Sequence, residues 1–87
     1  MTTLVLSATT LFGLRRAAMK TVVAHLSDGE GMTETARAQM LGITRARLHA
    51  LKHGRVEQFS LDALVELALR LGLTVRLSMT RQYVRGD

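Results

Sequence analysis

The sequence predicts a mainly α-helical domain of four to five short helices that ends in one β-strand. Apolar residues make up 47% of the 87-residue chain and aromatic residues only 3%. The core must therefore be aliphatic, which favours helices. Through most of the chain the apolar positions recur at three- and four-residue steps, whereas after Gly72 they alternate with a period of two, the pattern of a strand. A chain of this length forms one domain.

A short apolar arm precedes the first predicted helix. Residues 1–9 contain the contiguous run Leu4-Val5-Leu6, which indicates a short strand or an extended arm. This arm either covers the core or adds to the sheet edge of a partner. From Thr10 to Leu26 the apolar residues follow the helical period, which predicts an amphipathic helix with Thr10 as its N-cap. Packing on the core is favoured over a membrane-surface role for this helix. Its basic outer strip consists of Arg15, Arg16 and Lys20.

Two short helices joined by a tight turn are predicted between Thr33 and Gly54. Thr33 and Thr44 each precede a helical pattern, and their hydroxyl groups can accept hydrogen bonds from the free N–H groups of the first turn. Gly42 and Gly54 follow the two patterns, and glycine readily takes the left-handed conformation past a helix end. The three residues Leu41-Gly42-Ile43 are too few for parallel packing, so the second helix must leave at a steep angle. This is the sequence pattern of a helix-turn-helix.

The second of these helices carries positive charge on its outer side. The chain has a formal net charge of +5 and a pI of about 11.1. Such a charge favours nucleic acid first, an acidic protein second and a membrane surface third. Leu48 and Leu51 project to the inner side. The outer side contains Ala46, His49, Ala50 and His53, flanked by Arg45 and Arg47. There is no carboxylate between Arg37 and Arg55. This face suits a groove lined by phosphates, although arginine and lysine are also ordinary solvated helix residues.

A further helix and the strand complete the chain. Ser60 is the predicted N-cap of this helix, and Gly72 ends it. Its apolar face is wider than packing within one monomer requires, so the helix is either central or contacts another subunit. The strand over 73–80 has three candidate partners: the N-terminal arm, the same strand of a second copy, or the sheet edge of another protein. Antiparallel pairing about a two-fold axis is preferred, because a dimer would place two recognition helices about 34 Å apart, one turn of B-DNA.

A resemblance to a known family is carried by the segment from Met32 to Leu51 and by Gly54, Phe59-Ser60-Leu61-Asp62, Leu64 and Leu71-Gly72-Leu73. These residues resemble the Xre/Cro-type helix-turn-helix family, especially its short members that serve as HigA-type antitoxins. The resemblance implies a lambda-repressor-like domain and a two-subunit repressor that acts beside a toxin.

The chain departs from this family pattern at two positions of the first of the paired helices. Glu34 stands where a phosphate-binding glutamine is usual, and it would repel the DNA backbone unless it is paired with a neighbouring arginine. Arg37 occupies a position that often packs toward the recognition helix, so its contact there would use the aliphatic stem. Arg47 is retained but the base-reading residues differ, so no operator sequence follows from the resemblance.

Catalysis, metal binding and cofactor binding find little support in the sequence. The chain has no cysteine, which removes disulfides and thiolate chemistry and fits a cytoplasmic protein. His49 and His53 are four residues apart, a spacing that could hold a metal, but no cysteine or nearby carboxylate completes the set. No nucleophile-elbow or phosphate-loop pattern is present. The run Leu4-Val5-Leu6 is too short for a signal peptide, and no apolar span could cross a bilayer. We therefore expect no enzyme, no cofactor, no metal and no membrane partner.

The sequence thus predicts an N-terminal arm or short strand over 1–9, a helical DNA-binding domain over 10–72, a dimerisation strand over 73–80 and a flexible tail over 81–87. The predicted base contacts are Arg45, Ala46, His49 and Ala50. The predicted phosphate contacts are Thr33, Thr44, Arg47, Lys52, His53 and Arg55. The predicted dimerisation residues are Val75, Leu77 and Met79.

The expected function is that of a sequence-specific repressor that binds double-stranded DNA at a palindromic operator as a homodimer. The resemblance adds the role of antitoxin in a type II toxin–antitoxin module that regulates its own operon. Three alternatives remain open at this stage. The chain could be a stand-alone regulator without a toxin, a protein-binding antitoxin with secondary DNA binding, or a basic helical domain acting on RNA or a membrane. The scarcity of aromatic residues weighs against single-strand stacking.

Overall fold

The computed structural model describes residues 2–6, 8–26 and 31–78. Its described part contains strand β1 (Thr3–Leu6), helices α1 (Leu11–Leu26), α2 (Glu34–Leu41) and α3 (Arg45–Lys52), a 3₁₀ turn (Val56–Gln58), helix α4 (Leu61–Arg70) and strand β2 (Thr74–Leu77). The prediction of a mainly helical domain with a C-terminal strand is confirmed. Met79 and the predicted tail over 81–87 lie outside the described residues.

The helices begin at the hydroxyl residues that the sequence indicates. Thr33, Thr44 and Ser60 are extended, and each side-chain oxygen accepts a hydrogen bond of 3.1 Å from the N–H three residues later. The Thr10 hydroxyl likewise accepts from the N–H of Gly13 at 2.9 Å. Each bond satisfies one of the N–H groups that a helix leaves free in its first turn. The predicted caps are therefore confirmed at all four helices of the described chain.

The core is shared by every element and is almost entirely aliphatic. Helix α1 packs mainly on α4, and α3 and the two strands close the remaining sides. The large side chains that are fully buried in this core are Leu6, Val22, Leu41, Leu48, Leu51, Phe59 and Leu64. Burying one such side chain contributes about 1.5–3 kcal/mol, and a domain of this size depends on nearly all of them.

The strands β1 and β2 pair in parallel, with Leu4 opposite Val75 and Leu6 opposite Leu77. Parallel pairing is possible because the whole helical region lies between the two strands and supplies the long crossover that parallel strands need. Leu4 and Leu6 are buried, so the N-terminal arm is a strand that covers the core. The arm was one of three candidate partners for β2, and one edge of β2 is satisfied within the chain. Pairing with a second copy stays a prediction for the opposite edge.

One apolar face, which we call the α4–β2 face, is only partly covered in the described chain. It consists of Leu61, Val65, Leu69 and Leu77, which line one side of a shallow groove. Leu6 and Leu77 are paired in register and point to the same side of the sheet, yet Leu6 is 1% exposed and Leu77 is 55% exposed. Leu69 is 56% exposed. Helix α4 packs on α1 and is therefore central, and Leu69 is the large apolar residue of α4 that remains exposed in the described chain. A contact of this face with another subunit stays a prediction.

The described residues include no helix with both the length and the apolar character needed to span a membrane.

Candidate DNA-binding surface

The turn between α2 and α3 fixes the direction of α3. Gly42 has a φ of 70°, and its N–H reaches back to the carbonyl groups of Ala38 and Gln39. The N–H of Ile43 donates to the Ala38 carbonyl at 3.0 Å, so the last carbonyl groups of α2 are satisfied and the helix cannot continue. Thr44 then starts α3 in extended conformation. The chain has only these residues in which to change direction, as the sequence pattern predicts.

Helix α3 has one face in the core and one face in solvent. Leu48 and Leu51 are buried, whereas Arg45, Ala46 and His49 are exposed. We use the name α3 surface for the exposed residues Arg45, Ala46, His49, Lys52 and His53. No carboxylate belongs to α3 itself, so the surface of the helix is positively charged.

Ala50 does not belong to the α3 surface, so the prediction that it lies on the exposed side of the helix is wrong. Its exposed fraction is only 6%, and it is part of the core. The chain reverses at Gly54, where the N–H of Arg55 donates to the Ala50 carbonyl at 3.1 Å. This bond and the bond from the Gly54 N–H to the Leu51 carbonyl satisfy carbonyl groups at the end of α3. The Ala50 side chain is a single methyl group, and it is enclosed by the core. Helical periodicity gives the direction of a side chain but does not reveal which other elements will cover it.

A carboxylate from α2 joins the α3 surface. One oxygen of Glu34 accepts a hydrogen bond of 2.7 Å from Lys52 Nζ, and the other lies 3.8 Å from Arg45 Nη2. Glu34 is paired with an arginine, Arg45, as the sequence requires for a residue beside the DNA backbone, but Lys52 is the closer partner. The hydrogen bond and charge of Lys52, with smaller contributions from Arg45 and His49, lower the pKa of the Glu34 carboxyl. Glu34 is therefore an anion at neutral pH.

Arg47 is held against the segment that follows α3. Its guanidinium carbon lies 4.3 Å from the centre of the Phe59 ring, a cation–π distance. Its Nη1 donates to the Gln58 carbonyl at 3.4 Å. Arg47 thus covers the largest buried side chain of the described core while its head group stays exposed. Its position in the sequence predicts a phosphate contact but does not reveal this packing role.

His49 of α3 and His53, the residue that caps the end of α3, lie side by side. The ring centres of His49 and His53 are 4.2 Å apart, with the planes inclined at 57°. Among the described residues no group of three histidine, cysteine, aspartate or glutamate side chains could hold a metal. Both rings are exposed, and each can donate or accept a hydrogen bond at the surface.

The other predicted phosphate contacts lie at the ends of α2 and α3. Thr33 and Thr44 are exposed at the two helix starts. Their oxygens accept the cap hydrogen bonds, and each hydroxyl still has its own hydrogen to donate. Arg55 is exposed beyond the end of α3.

Arg15 joins α1 to the segment that follows α3, which the sequence did not indicate. It was predicted on the solvated strip of α1, but it is partly buried. Its Nε donates to the Phe59 carbonyl at 3.0 Å and its Nη2 to the Val56 carbonyl at 2.9 Å. This side chain ties α1 to the segment on which Arg47 rests. Both acceptors are distant in sequence, so no local pattern could have identified them.

Comparison with known protein families identifies this chain as similar to a helix-turn-helix family. The model of a family described as a helix-turn-helix domain matches residues 7–80. No curated protein and no solved structure matches the chain. In a helix-turn-helix the second helix lies in the major groove, and residues near its N-terminus contact the base edges. Helix α3 is the second of the two helices joined by the tight turn in this chain.

Proposed function

We propose that this chain, which belongs to the helix-turn-helix domain family, is a transcriptional repressor that binds double-stranded DNA in a sequence-specific manner. The observation that carries this proposal is the α3 surface, a cationic helix face that follows a rigid turn and has no carboxylate of its own. A duplex groove is lined by phosphates, and neutralising them supplies most of the affinity for DNA.

Base recognition is assigned to the exposed first half of α3. The Arg45 side chain is 68% exposed in the first turn, where helix-turn-helix proteins contact base edges. Its guanidinium group can donate two hydrogen bonds to O6 and N7 of guanine. His49 lies one turn further along the same face, and the small side chain of Ala46 allows close approach. We therefore assign base contacts to Arg45, Ala46 and His49.

The remaining polar groups around α3 are assigned to the DNA backbone. Phosphate contacts fix the position and orientation of a protein on the duplex but carry no sequence information. The assigned residues are Thr33, Thr44, Arg47, Lys52, His53 and Arg55. Arg47 would make its contact from a fixed position, because the Phe59 ring and the Gln58 carbonyl already hold its guanidinium group.

A homodimer is supported by the α4–β2 face. Its exposed leucines, Leu69 and Leu77, line one groove together with Leu61 and Val65, and packing on a second copy would remove this apolar surface from water. The charges beside it are self-complementary, since Asp62 lies at the start of α4 and Arg70 at its end. Antiparallel packing on a second copy would bring each arginine beside the partner's aspartate. A two-fold axis would also bring together Val75, Leu77 and Met79 of both copies.

The assignment of Arg45 is tested by two alanine variants. Binding of the duplex upstream of the chain's own gene and of a random duplex is measured by fluorescence anisotropy at one fixed salt concentration. Arg45→Ala should lose about 1–3 kcal/mol on the preferred site and discriminate less at one base pair. Lys52→Ala should weaken binding to both duplexes equally, because a phosphate contact is independent of sequence. Unchanged affinities for Arg45→Ala on both duplexes would contradict the assignment.

A second candidate function is that of an antitoxin that regulates its own operon in the cytoplasm. The resemblance to HigA-type antitoxins suggests it, and exposed apolar residues at the other end of the domain favour a protein partner. Val5, Leu11 and Phe12 are 59%, 62% and 51% exposed. Co-expression with the product of the neighbouring gene tests this candidate. Co-purification of a small toxin that Phe12→Ala weakens would support it, whereas a stand-alone regulator would purify without a partner.

A further inference from the structure

Glu34 links the two ends of the recognition helix. It is the first residue of α2, and its carboxylate contacts Arg45 at the beginning of α3 and Lys52 at its end. These two residues are seven positions apart, about 10 Å along the helix axis. The carboxylate therefore lies over the middle of the α3 surface, close enough to His49 for that residue to contribute to its low pKa.

The contact with Lys52 has the geometry that a DNA phosphate would adopt. The distance from Glu34 Oε1 to Lys52 Nζ is 2.7 Å, within the range of charge-assisted hydrogen bonds to carboxylate or phosphate oxygens. The lysine can still contact a phosphate, but it must share its ammonium group or leave the carboxylate. A fixed negative charge beside the groove also repels the backbone.

The contact with Arg45 is looser. Only Nη2 approaches the second carboxylate oxygen, at 3.8 Å, so the other N–H groups of the guanidinium remain available to a guanine edge. The carboxylate thus restrains the direction of the Arg45 side chain without occupying its donors.

We infer that Glu34 is a specificity-determining residue that competes with DNA phosphates for Lys52 and Arg45 and so suppresses binding to arbitrary sequences. The inference rests on the proposed DNA-binding function. Competition for Lys52 weakens binding to operator and random DNA alike, because this lysine contacts phosphate in both complexes. Competition for Arg45 weakens binding to random DNA more, because Arg45 can contact only phosphates there. On the preferred site Arg45 contacts a base, and the affinity that this contact contributes is retained. Discrimination between operator and random DNA therefore increases.

A purely structural role for Glu34 makes a different prediction. An acidic residue in the first turn of α2 stabilises that helix through its dipole. Loss of this effect would lower the thermal stability of the chain but would not change how binding depends on salt. The salt dependence of binding to a random duplex therefore separates the two roles.

The experiment compares Glu34→Gln with Glu66→Gln. Glu66 is also an exposed glutamate paired with an arginine, but its partner is Arg70 on α4, so its replacement changes the net charge equally without touching α3. Affinity for a random duplex is measured over a range of salt. Glu34→Gln should bind about threefold or more tightly at low salt, and its plot of log K against log salt should steepen by about 0.9. The ratio of operator to random affinity should fall.

The decisive comparison repeats both substitutions in the Lys52→Ala background. The gain from Glu34→Gln should shrink by at least half there, because the competed cation is absent, whereas any effect of Glu66→Gln should be the same in both backgrounds. An equal gain from Glu34→Gln in both backgrounds, or no gain in either, would overturn the inference. If the wild-type chain itself binds no duplex at low salt, the proposed function fails as well, and this result is distinct from the other two.

Discussion

The α3 surface and the α4–β2 face belong to one small domain but differ in chemistry. The first is polar and cationic, and a carboxylate already contacts two of its side chains. The second is apolar, and Leu69 and Leu77 remain more than half exposed in the described chain. A surface of the first kind suits a charged ligand that exchanges with water and ions, whereas one of the second kind suits a permanent protein contact.

The difference also concerns how each region is held in place. Arg45, Ala46 and His49 lie on one regular helix between a threonine cap and a left-handed glycine, so local interactions fix them. The α4–β2 face depends on the position of β2, which pairs with β1 from the opposite end of the described chain. Disturbing the shared core should therefore destroy both regions, whereas surface changes should affect them separately.

The largest effect is expected from Phe59→Ala. This substitution should unfold the α3 surface and the α4–β2 face together, because both depend on the same core. The ring is 1% exposed, and Arg47 and Arg15 contact its ring and its backbone carbonyl respectively. Truncation of a buried phenylalanine costs about 3–5 kcal/mol, most of the stability of a small domain. Urea unfolding followed by circular dichroism measures the loss. Phe12→Ala, at a half-exposed position, serves as the control and should change stability by less than about 0.5 kcal/mol.

Leu69→Lys should separate the α4–β2 face from the α3 surface. A charge at this position would be buried without a partner in the proposed dimer but solvated in the monomer, where Leu69 is 56% exposed. The variant should sediment as a folded monomer and bind a palindromic operator about 100-fold more weakly, because two linked half-site contacts become one. Val5→Lys on β1 is the matched control, since Val5 is also exposed. If Leu69→Lys keeps the assembly state of the wild type, the α4–β2 face is not the dimer interface.

A smaller effect is expected at the glycine between α2 and α3. Gly42 has a φ of 70° and Gly54 a φ of 68°, so alanine at either position costs about 1 kcal/mol in backbone strain. A Cβ at Gly42 would also lie 3.1 Å from Arg70 Nη1, but this is the mobile end of a side chain and can move away. At Gly54 no atom lies within 4 Å of the added Cβ. Chemical denaturation should give equal losses within a few tenths of a kcal/mol, and a much larger loss for Gly42→Ala would show that Arg70 is fixed.

The smallest effect concerns the protonation of Glu34. Its pKa is lowered mainly by the hydrogen bond from Lys52, so Lys52→Met should raise the pKa toward the ordinary value of about 4.3. Because the pKa of Glu34 is lower in the folded protein than in the unfolded chain, the pairing of its carboxylate with Lys52 is complete at neutral pH. It is lost as the pH falls from about 4.3 through that lower value. Carboxyl NMR titration gives the shift. Arg45→Met should produce a smaller rise, and an equal or larger rise would reverse the assigned order of the two partners.

The helix ends could be predicted from the sequence because each depends on a few adjacent residues. A threonine hydroxyl and a glycine in left-handed conformation act within one turn, so Thr33, Thr44 and Gly42 were identifiable before any tertiary contact was known. The helical period also separated Leu48 from His49. These local features are sufficient to indicate the family and the position of α3.

Features that depend on distant segments were not predictable in the same way. The parallel pairing of Leu6 with Leu77 joins the two ends of the described chain, and the bonds of Arg15 to the segment before α4 cross between separate elements. Ala50 is enclosed by the core although its helical position pointed outward. The Glu34–Lys52 contact joins two helices. In each case the sequence shows the chemistry of the side chain, but only the fold determines which residue it contacts.

The proposed role of α3 is tested most directly by titrating the ¹⁵N-labelled chain with duplex DNA and following the backbone amide signals. We expect the largest chemical-shift changes at Arg45, Ala46 and His49, with smaller changes at Thr33 and Lys52 and none across the α4–β2 face. Changes confined to α4 and β2, with the α3 signals unmoved at saturating duplex, would contradict the assignment of α3 as the helix that enters the major groove.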